Sequence, residues 1–286
     1  MRRIFMLILT GALALETLAA MDMRLVEDRV FELTNDERVK RGLPALERMA
    51  ALDDIARIHS VNMVEKGFFS HTDHLRRSPS KRMGEYYPNI IGATGENIAM
   101  HFGPDEETVA NKLVSAWMKS PGHRANILRK SFTHLGVGCK ETDTHVYSTQ
   151  NFGTPIAELL ETDKTAIFGE ALPLRFRYLS PTDRERLTIY ITFPKRRARY
   201  YLSNNRYYTG VAPAEALFAD DETFTIDFIP QKDYGTGAYG ISMGFDGSVY
   251  ETALDFTPSE AAPAAPISAI PPNREAAVEA AESAAN

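Results

Sequence analysis

The sequence predicts an α+β chain in three unequal parts: a helical region closed by a β-hairpin, an all-β region, and a disordered tail. Three observations carry that reading. From Asp22 to about Phe152 the apolar residues recur mostly at helical spacing. From 165 to 257 they alternate with polar ones. The last stretch, 258–286, is rich in Ala, Pro and Glu and nearly empty of large apolar side chains. Such a segment cannot bury enough surface to offset its ordering entropy.

The first twenty residues have a different character. Arg2 and Arg3 precede the apolar run IFMLILTGALAL, and small residues follow in ETLAA. That order describes a secretory signal peptide over 1–20, too short in its apolar part to span a membrane comfortably. Cleavage after Ala19 or Ala20 is expected, with no cysteine beside it to carry a lipid. The expected location is therefore periplasmic or extracellular, with no stable membrane anchor. A net charge of −6 argues against a dedicated nucleic-acid binder. Cys139 is the only cysteine, so no intrachain disulfide exists, and its setting in LGVGC reads as a small buried core residue.

Leu25, Val26, Val30 and Leu33 mark one face of a first helix, which stops at Gly42-Leu43-Pro44. Leu52, Ile55, Ala56, His59 and Met63 mark a second, ended by Gly67. Val109, Leu113, Val114 and Trp117 mark a third, running from about Asp105 to Ser120 and stopping at Pro121-Gly122. THLGVGC and HVYSTQNF, on either side of the turn KETDT, then read as a hairpin. Three apolar helix faces against one sheet make a complete core, so 22–155 is expected to fold without the rest. A linker is expected near 154–168. Beyond it, Leu174, Phe176 and Tyr178 alternate with Arg175 and Arg177, and Leu187, Ile189, Ile191 and Phe193 repeat the pattern. Phe224, Ile226 and Phe228 do so again, which predicts an antiparallel, Ig-like β-sandwich over 165–257.

Three polar stretches interrupt the first region: GFFSHTD with His71, GENIA with Glu96, and SPGHRANIL with His123. Each sets one ionisable group beside a glycine or a turn, next to apolar residues, which is how a side chain is aimed into a pocket. Each also has a plainer reading. Histidines at helix ends commonly cap or face solvent. Glu96 would serve the dipole of a helix beginning at Asn97. His59 lies among apolar neighbours as a core histidine, while His101, His134 and His145 show no partner spacing.

The order of the motifs adds to this. VFELTNDERVKRGLPAL, FFSHTD, GENIA, Trp117 before SPGHRANIL, then GVG and TQNFG follow one another. That succession resembles the CAP superfamily (SCP-like: cysteine-rich secretory proteins, antigen 5, pathogenesis-related proteins), in its short bacterial type. The resemblance covers about 25–153 and leaves the β-rich half outside. It implies an α–β–α sandwich, with a cleft that in eukaryotic members holds two histidines and two glutamates. Carried over, these positions fall on His71, Glu96 and His123, and the second glutamate is replaced by Ser120. His71, Glu96 and His123 would suit a divalent cation, Zn²⁺ above all. Without metal, Glu96 would orient one imidazole while the other binds a ligand. His71 and His74 form a weaker rival pair. Ser120 lies three residues before His123, yet no nucleophile elbow and no HExxH accompany it.

The functional expectation is a binding module for a divalent cation or a small cell-envelope ligand. A metal-assisted hydrolase of envelope peptide or ester bonds is the alternative. A structural adaptor, gripping a protein partner through the β-sandwich above a vestigial cleft, is another. In the second half, PKRRARYY collects Lys195, Arg196, Arg197 and Arg199 among tyrosines. It reads either as a solvated edge guarded by cations or as a grip for an anionic envelope polymer.

Overall fold

The computed structural model describes residues 21–161, 165–202, 205–250 and 254–260. The expected signal peptide, 1–20, lies outside the described residues, as does the expected disordered tail beyond Glu260. The tail's first residues are tied down: Ser259 donates its amide to Ala166 and accepts from the Phe168 amide, at 2.9 and 3.1 Å.

The first region contains α1 (Met23–Val39), β1 (Glu47–Arg48), α2 (Ala50–Glu65), α3 (Pro79–Tyr86), β2 (Ile90–His101), α4 (Glu106–Lys119), α5 (Pro121–Ile127), β3 (His134–Glu141) and β4 (Val146–Leu159). Asp22 starts α1 by accepting the Arg24 amide. Its inward stripe runs Val26, Val30, Thr34, Arg38, four residues apart, so the expected face is rotated and Leu25 is exposed. Arg38 earns its burial: its guanidinium donates to the carbonyls of Pro44, Ile127, Arg129 and Phe132, tying the loop after α1 to the end of α5 and the loop that follows it.

The sheet is layered between helices. One core gathers Val26, Val30, Leu113, Trp117, Leu135 and Phe152, joining α1 and α4 to the strands. On the other face α2 lies directly on β3. Cβ atoms at Gly136 and Gly138 would stand 2.1 and 2.0 Å from the backbone of Leu52 and Arg57, so only glycine allows this approach. The outer edge of β3 is covered by carboxylates: Asp53 accepts the Val137 amide, and Glu27 that of Cys139. Cys139 is buried as expected, and burial pushes its thiol up to about 12.

Two elements depart from the sequence reading. GATGENIAMH is the strand β2, paired with β4 along its length, so no helix begins at Asn97 and Glu96 caps nothing. The third helix does end at Ser120 as expected, but Pro121 also opens a further helix that the sequence reading lacks. The proline occupies the first turn of α5, where its missing N–H leaves no helical bond unmade.

The second region is all-β: β5 (Leu172–Tyr178), β6 (Leu187–Thr192), β7 (Arg199–Tyr201), β8 (Tyr207–Thr209), β9 (Val211–Ala214), β10 (Leu217–Phe218), β11 (Thr223–Phe228), β12 (Tyr239–Phe245), β13 (Ser248–Val249) and β14 (Leu254–Phe256). Its strands show the expected alternation; β5 is buried at every second residue. The strand order among the described residues is β1-β3-β4-β5-β11-β10, with β2 on the other edge of β4, and separately β13-β12-β6-β9 with β14 on β12. β4 therefore runs into the expected linker as far as Leu159 and pairs there with β5. One sheet is shared by both regions, and Ile91 and Ile156 of the first lie in the core of the second.

Candidate functional site

Pleating sets up the site. Glu96 and Asn97 are neighbours on β2 and point to opposite faces. Asn97 faces α5, where its amide donates to the carbonyl of His123 and to Gln150 Oε1, both at 3.1 Å. Asn126 of α5 returns a bond to Asn97 Oδ1 at 3.0 Å and a second to the Glu96 carbonyl at 3.1 Å. Three of these hydrogen bonds clamp the short helix carrying His123 to the strand carrying Glu96, and the fourth ties Asn97 to β4.

Glu96 faces α2 and α3, with its side chain 1% exposed. His71 Nδ1, from the loop after α2, lies 2.8 Å from Glu96 Oε1. Arg82 of α3, fully buried, forms an ion pair with Glu96 Oε2. Arg82 also donates to the carbonyl of His71 at 2.9 Å, so one guanidinium fixes both the carboxylate and the loop carrying the histidine. Asn151, opposite Glu96 across the β2–β4 ladder, adds a bond to Oε2 at 3.3 Å when its amide is turned to satisfy both ends. His59 completes the wall with Nε2 at 3.0 Å from the Ser70 carbonyl and 3.8 Å from Glu96 Oε1. Among the described residues its buried Nδ1 has no hydrogen-bond partner, and burial holds its pKa below the ordinary value.

In front of this wall stand two imidazoles. The His71 side chain is 50% exposed. The His123 ring lies with its centroid 6.4 Å from that of His71, tilted by 48°. Burial, and secondarily the charge of His71, lowers the His123 pKa, so His123 is neutral at neutral pH. With Glu96 as acceptor at Nδ1, neutral His71 carries its proton there and turns the Nε2 lone pair outward.

The structure brings together His71, Glu96 and His123, and it sets Ser120 at the junction of α4 and α5. There Ser120 is the N-cap residue of α5, but its hydroxyl makes no capping bond. His74 is exposed beside Phe68, with ring centroids 6.2 Å apart. The expected trio of inner metal ligands does not fit. Both Glu96 oxygens are already engaged, Oε2 by a buried guanidinium, and among the described residues no group of three His, Cys, Asp or Glu is arranged to hold a metal. The sequence reading missed Arg82, one of two adjacent cations in SPSKRMGEYY with nothing to mark it out, and it missed the contact of His59 with Glu96.

Residues 31–152 match the family model described as CAP, cysteine-rich secretory protein family. This region is a CAP domain. It is 40% identical over 127 residues to the uncharacterized protein YkwD of Bacillus subtilis (strain 168), covering 44% of this chain and 47% of that one. It is 38% identical over 128 residues to the uncharacterized membrane protein YlbC of the same organism, covering 44% and 34%. The chain thus spans less than half the length of the curated relatives it matches. Among solved structures, an extracellular protein containing an SCP domain from Bacillus anthracis str. Ames is 32% identical, with a TM-score of 0.39, covering 46% of this chain and 40% of that one. An outer surface protein from Borrelia burgdorferi is 22% identical, with a TM-score of 0.42, covering 47% and 96%.

Proposed function

We propose that the CAP domain is a binding module of an exported protein, and that the cleft between His71 and His123 takes a small polar ligand of the cell envelope. One observation carries this reading: a buried carboxylate, neutralised from behind by a buried arginine, fixes the tautomer of a half-exposed histidine that faces a second imidazole. Buried ion pairs contribute little net stability compared with well-packed apolar residues. Their use here is to aim His71. A ligand hydroxyl between the rings donates to the His71 lone pair and accepts from a ring N–H of His123.

A divalent cation, zinc above all, enters as a guest of the two imidazoles only. Glu96 would act on it from outside the ligand set, by orienting His71. The hydrolase alternative lacks a free carboxylate base, since Arg82 holds Glu96. Export rests on Arg2, Arg3 and the apolar run within 1–20; among the described residues no helix is long and apolar enough to cross a membrane. The Ig-like reading of the second region, with a protein partner docked on it, belongs to this proposal as well.

The test is imidazole NMR of the purified protein, titrated separately with N-acetylglucosamine and with ZnCl₂. The His71 and His123 ring signals should move with the sugar, and His71→Ala should abolish that response. If zinc alone moves them, the site is a cation site and the polar-ligand reading falls. If neither moves them, the cleft binds nothing of either class and the adaptor reading replaces both.

A further inference from the structure

We propose that the β7–β8 ribbon and the turn before it form a binding surface for an anionic polysaccharide. This surface lies in the second region and does not depend on the histidine cleft. The ribbon is a separate two-stranded sheet with Arg199 opposite Thr209, Tyr200 opposite Tyr208 and Tyr201 opposite Tyr207. Alternation divides it into two faces. Tyr200 and Tyr208 turn inward, toward Tyr234 and Tyr190 with ring centroids 6.4 and 5.8 Å apart, and so anchor the ribbon to the sandwich. Arg199, Tyr201, Tyr207 and Thr209 form the outward face.

That outward face is exposed in a way its folding does not require. Tyr201 is 57% and Tyr207 47% exposed, with ring centroids 5.6 Å apart. The Arg199 guanidinium lies 4.5 Å from the centroid of the Tyr207 ring, which holds its fork of donors beside the aromatic pair. The preceding turn adds Lys195, Arg196 and Arg197, all exposed, around the buried Ala198.

Charge singles out the same place. Elsewhere in this region exposed cations have partners: Arg175 with Asp221, Arg177 with Glu158, Arg186 with Asp246 and Lys232 with Glu260, each within 3.2 Å. Among the described residues, Lys195, Arg196, Arg197 and Arg199 form no such pair, although the whole chain is acidic at −6. Cations placed only to guard a sheet edge would not need two exposed tyrosines beside them. Tyrosine faces match the C–H face of a sugar ring, and arginine forks match carboxylates or phosphates repeated along a chain. The outward face carries no Leu, Ile, Val or Met to enter a bilayer, which disfavours a lipid surface.

The test measures binding of the purified protein to polygalacturonate, with dextran, a poly(dT) oligonucleotide and vesicles of phosphatidylcholine with phosphatidylglycerol as comparisons. Polygalacturonate should bind, more weakly as salt rises. The triple variant Arg196→Ala/Arg197→Ala/Arg199→Ala should lose about tenfold or more in affinity. Tyr201→Ala/Tyr207→Ala should lose affinity while keeping the parent's salt dependence, and both variants should melt like the parent. No binding to polygalacturonate, equal binding by the variants, or equal binding of dextran overturns the proposal. So does tighter binding of poly(dT) or the vesicles, which would make the patch a general polyanion or membrane contact. A patch reserved for a protein partner would leave all four probes unbound, which overturns it equally.

Discussion

Glu27 and Glu96 occupy opposite edges of the CAP-domain sheet, and each has a side chain 1% exposed and paired with an arginine. At the β3 edge, Glu27 accepts from Arg57 Nε at 2.9–3.0 Å and from the amide of Cys139 at 3.0 Å. Every one of those contacts holds structure: two helices and a strand edge. At the β2 edge, Glu96 has a buried arginine behind it and a half-exposed histidine in front. The same pair of residue types is therefore a joint in one place and an aiming device in the other. What distinguishes them is whether the chain of hydrogen bonds reaches a side chain open to solvent.

Removing the arginine should separate the two most strongly. Arg82→Met leaves Glu96 buried beside no cation and frees the His71 carbonyl, which should destabilise by about 3–5 kcal/mol. Arg57→Met should do less, because Arg57 is 21% exposed and burial already raises the Glu27 pKa, so that Glu27 can take up a proton. Thermal melts of both variants at pH 7 check this. Equal losses would mean that the two pairs are equivalent and that Arg82 is not special to the cleft.

A smaller effect separates the two edges through glycine. Gly138→Ala puts a Cβ 2.0 Å from the Arg57 amide nitrogen, a backbone atom that can yield only if α2 moves and takes Arg57 off Glu27. Gly95→Ala, next to Glu96, meets the Phe132 ring at 2.6 Å, which a side-chain rotation can relieve. Gly138→Ala should therefore cost about 1–3 kcal/mol in urea denaturation, and Gly95→Ala distinctly less. A reversed order would place the rigid packing at the cleft.

This contrast also marks how far the sequence could be read. Val26, Val30, Leu113 and Trp117 were legible because helix faces repeat locally, and so were the alternating strands of the second region. His71, Glu96 and His123 were legible as motifs. The partner of Glu96 was not: Arg82 lies 14 residues earlier in an element too short and polar to show a face. β2 was hidden because its glycines serve its neighbours, Gly92 against the Thr154 carbonyl and Gly95 against Phe132, which erases alternation. Ser120-Pro121 showed a stop truly enough, but proline suits the first turn of the next helix as well as the end of the last one. The shared strand β4 shows why a boundary near 155 looked natural: turn-like residues Gly153, Thr154 and Pro155 lie inside a strand that changes partners there, from β3 to β5.

Acid should expose the next difference. Burial holds His59 below the ordinary imidazole value against the opposing charge of Glu96, so the unfolded chain takes up its proton first as pH falls through about 6.5. Stability from this group is present above that pH and is lost on the way down to the folded value. Glu27 works in the opposite sense: its raised pKa contributes stability at low pH that is lost as pH rises from the ordinary glutamate range through the folded value. Between pH 7 and 5.5 the His59 contribution falls with pH, in the same direction as those of His101, His123 and His134, whose pKa values burial also lowers. His59→Gln should flatten the decline of unfolding free energy over that interval, and Glu27→Gln should leave it in place. A decline unchanged in His59→Gln would move the acid sensitivity away from the cleft wall.

The smallest expected effect tests whether the cleft acts as one unit. The His123 pKa is lowered first by its own burial and second by the charge of His71 across 6.4 Å between ring centroids. The His71→Ala variant removes only the second cause. The His123 ring should then titrate at higher pH than in the parent while staying below the ordinary value, because its burial in α5 persists. Ring NMR over pH 5–8 reads that change directly. The clamp from Asn97 to the His123 carbonyl keeps α5 in register, so the comparison is of charge and not of position. An unmoved His123 titration would mean that each imidazole meets solvent separately, and a ligand held between them would then lose its physical basis.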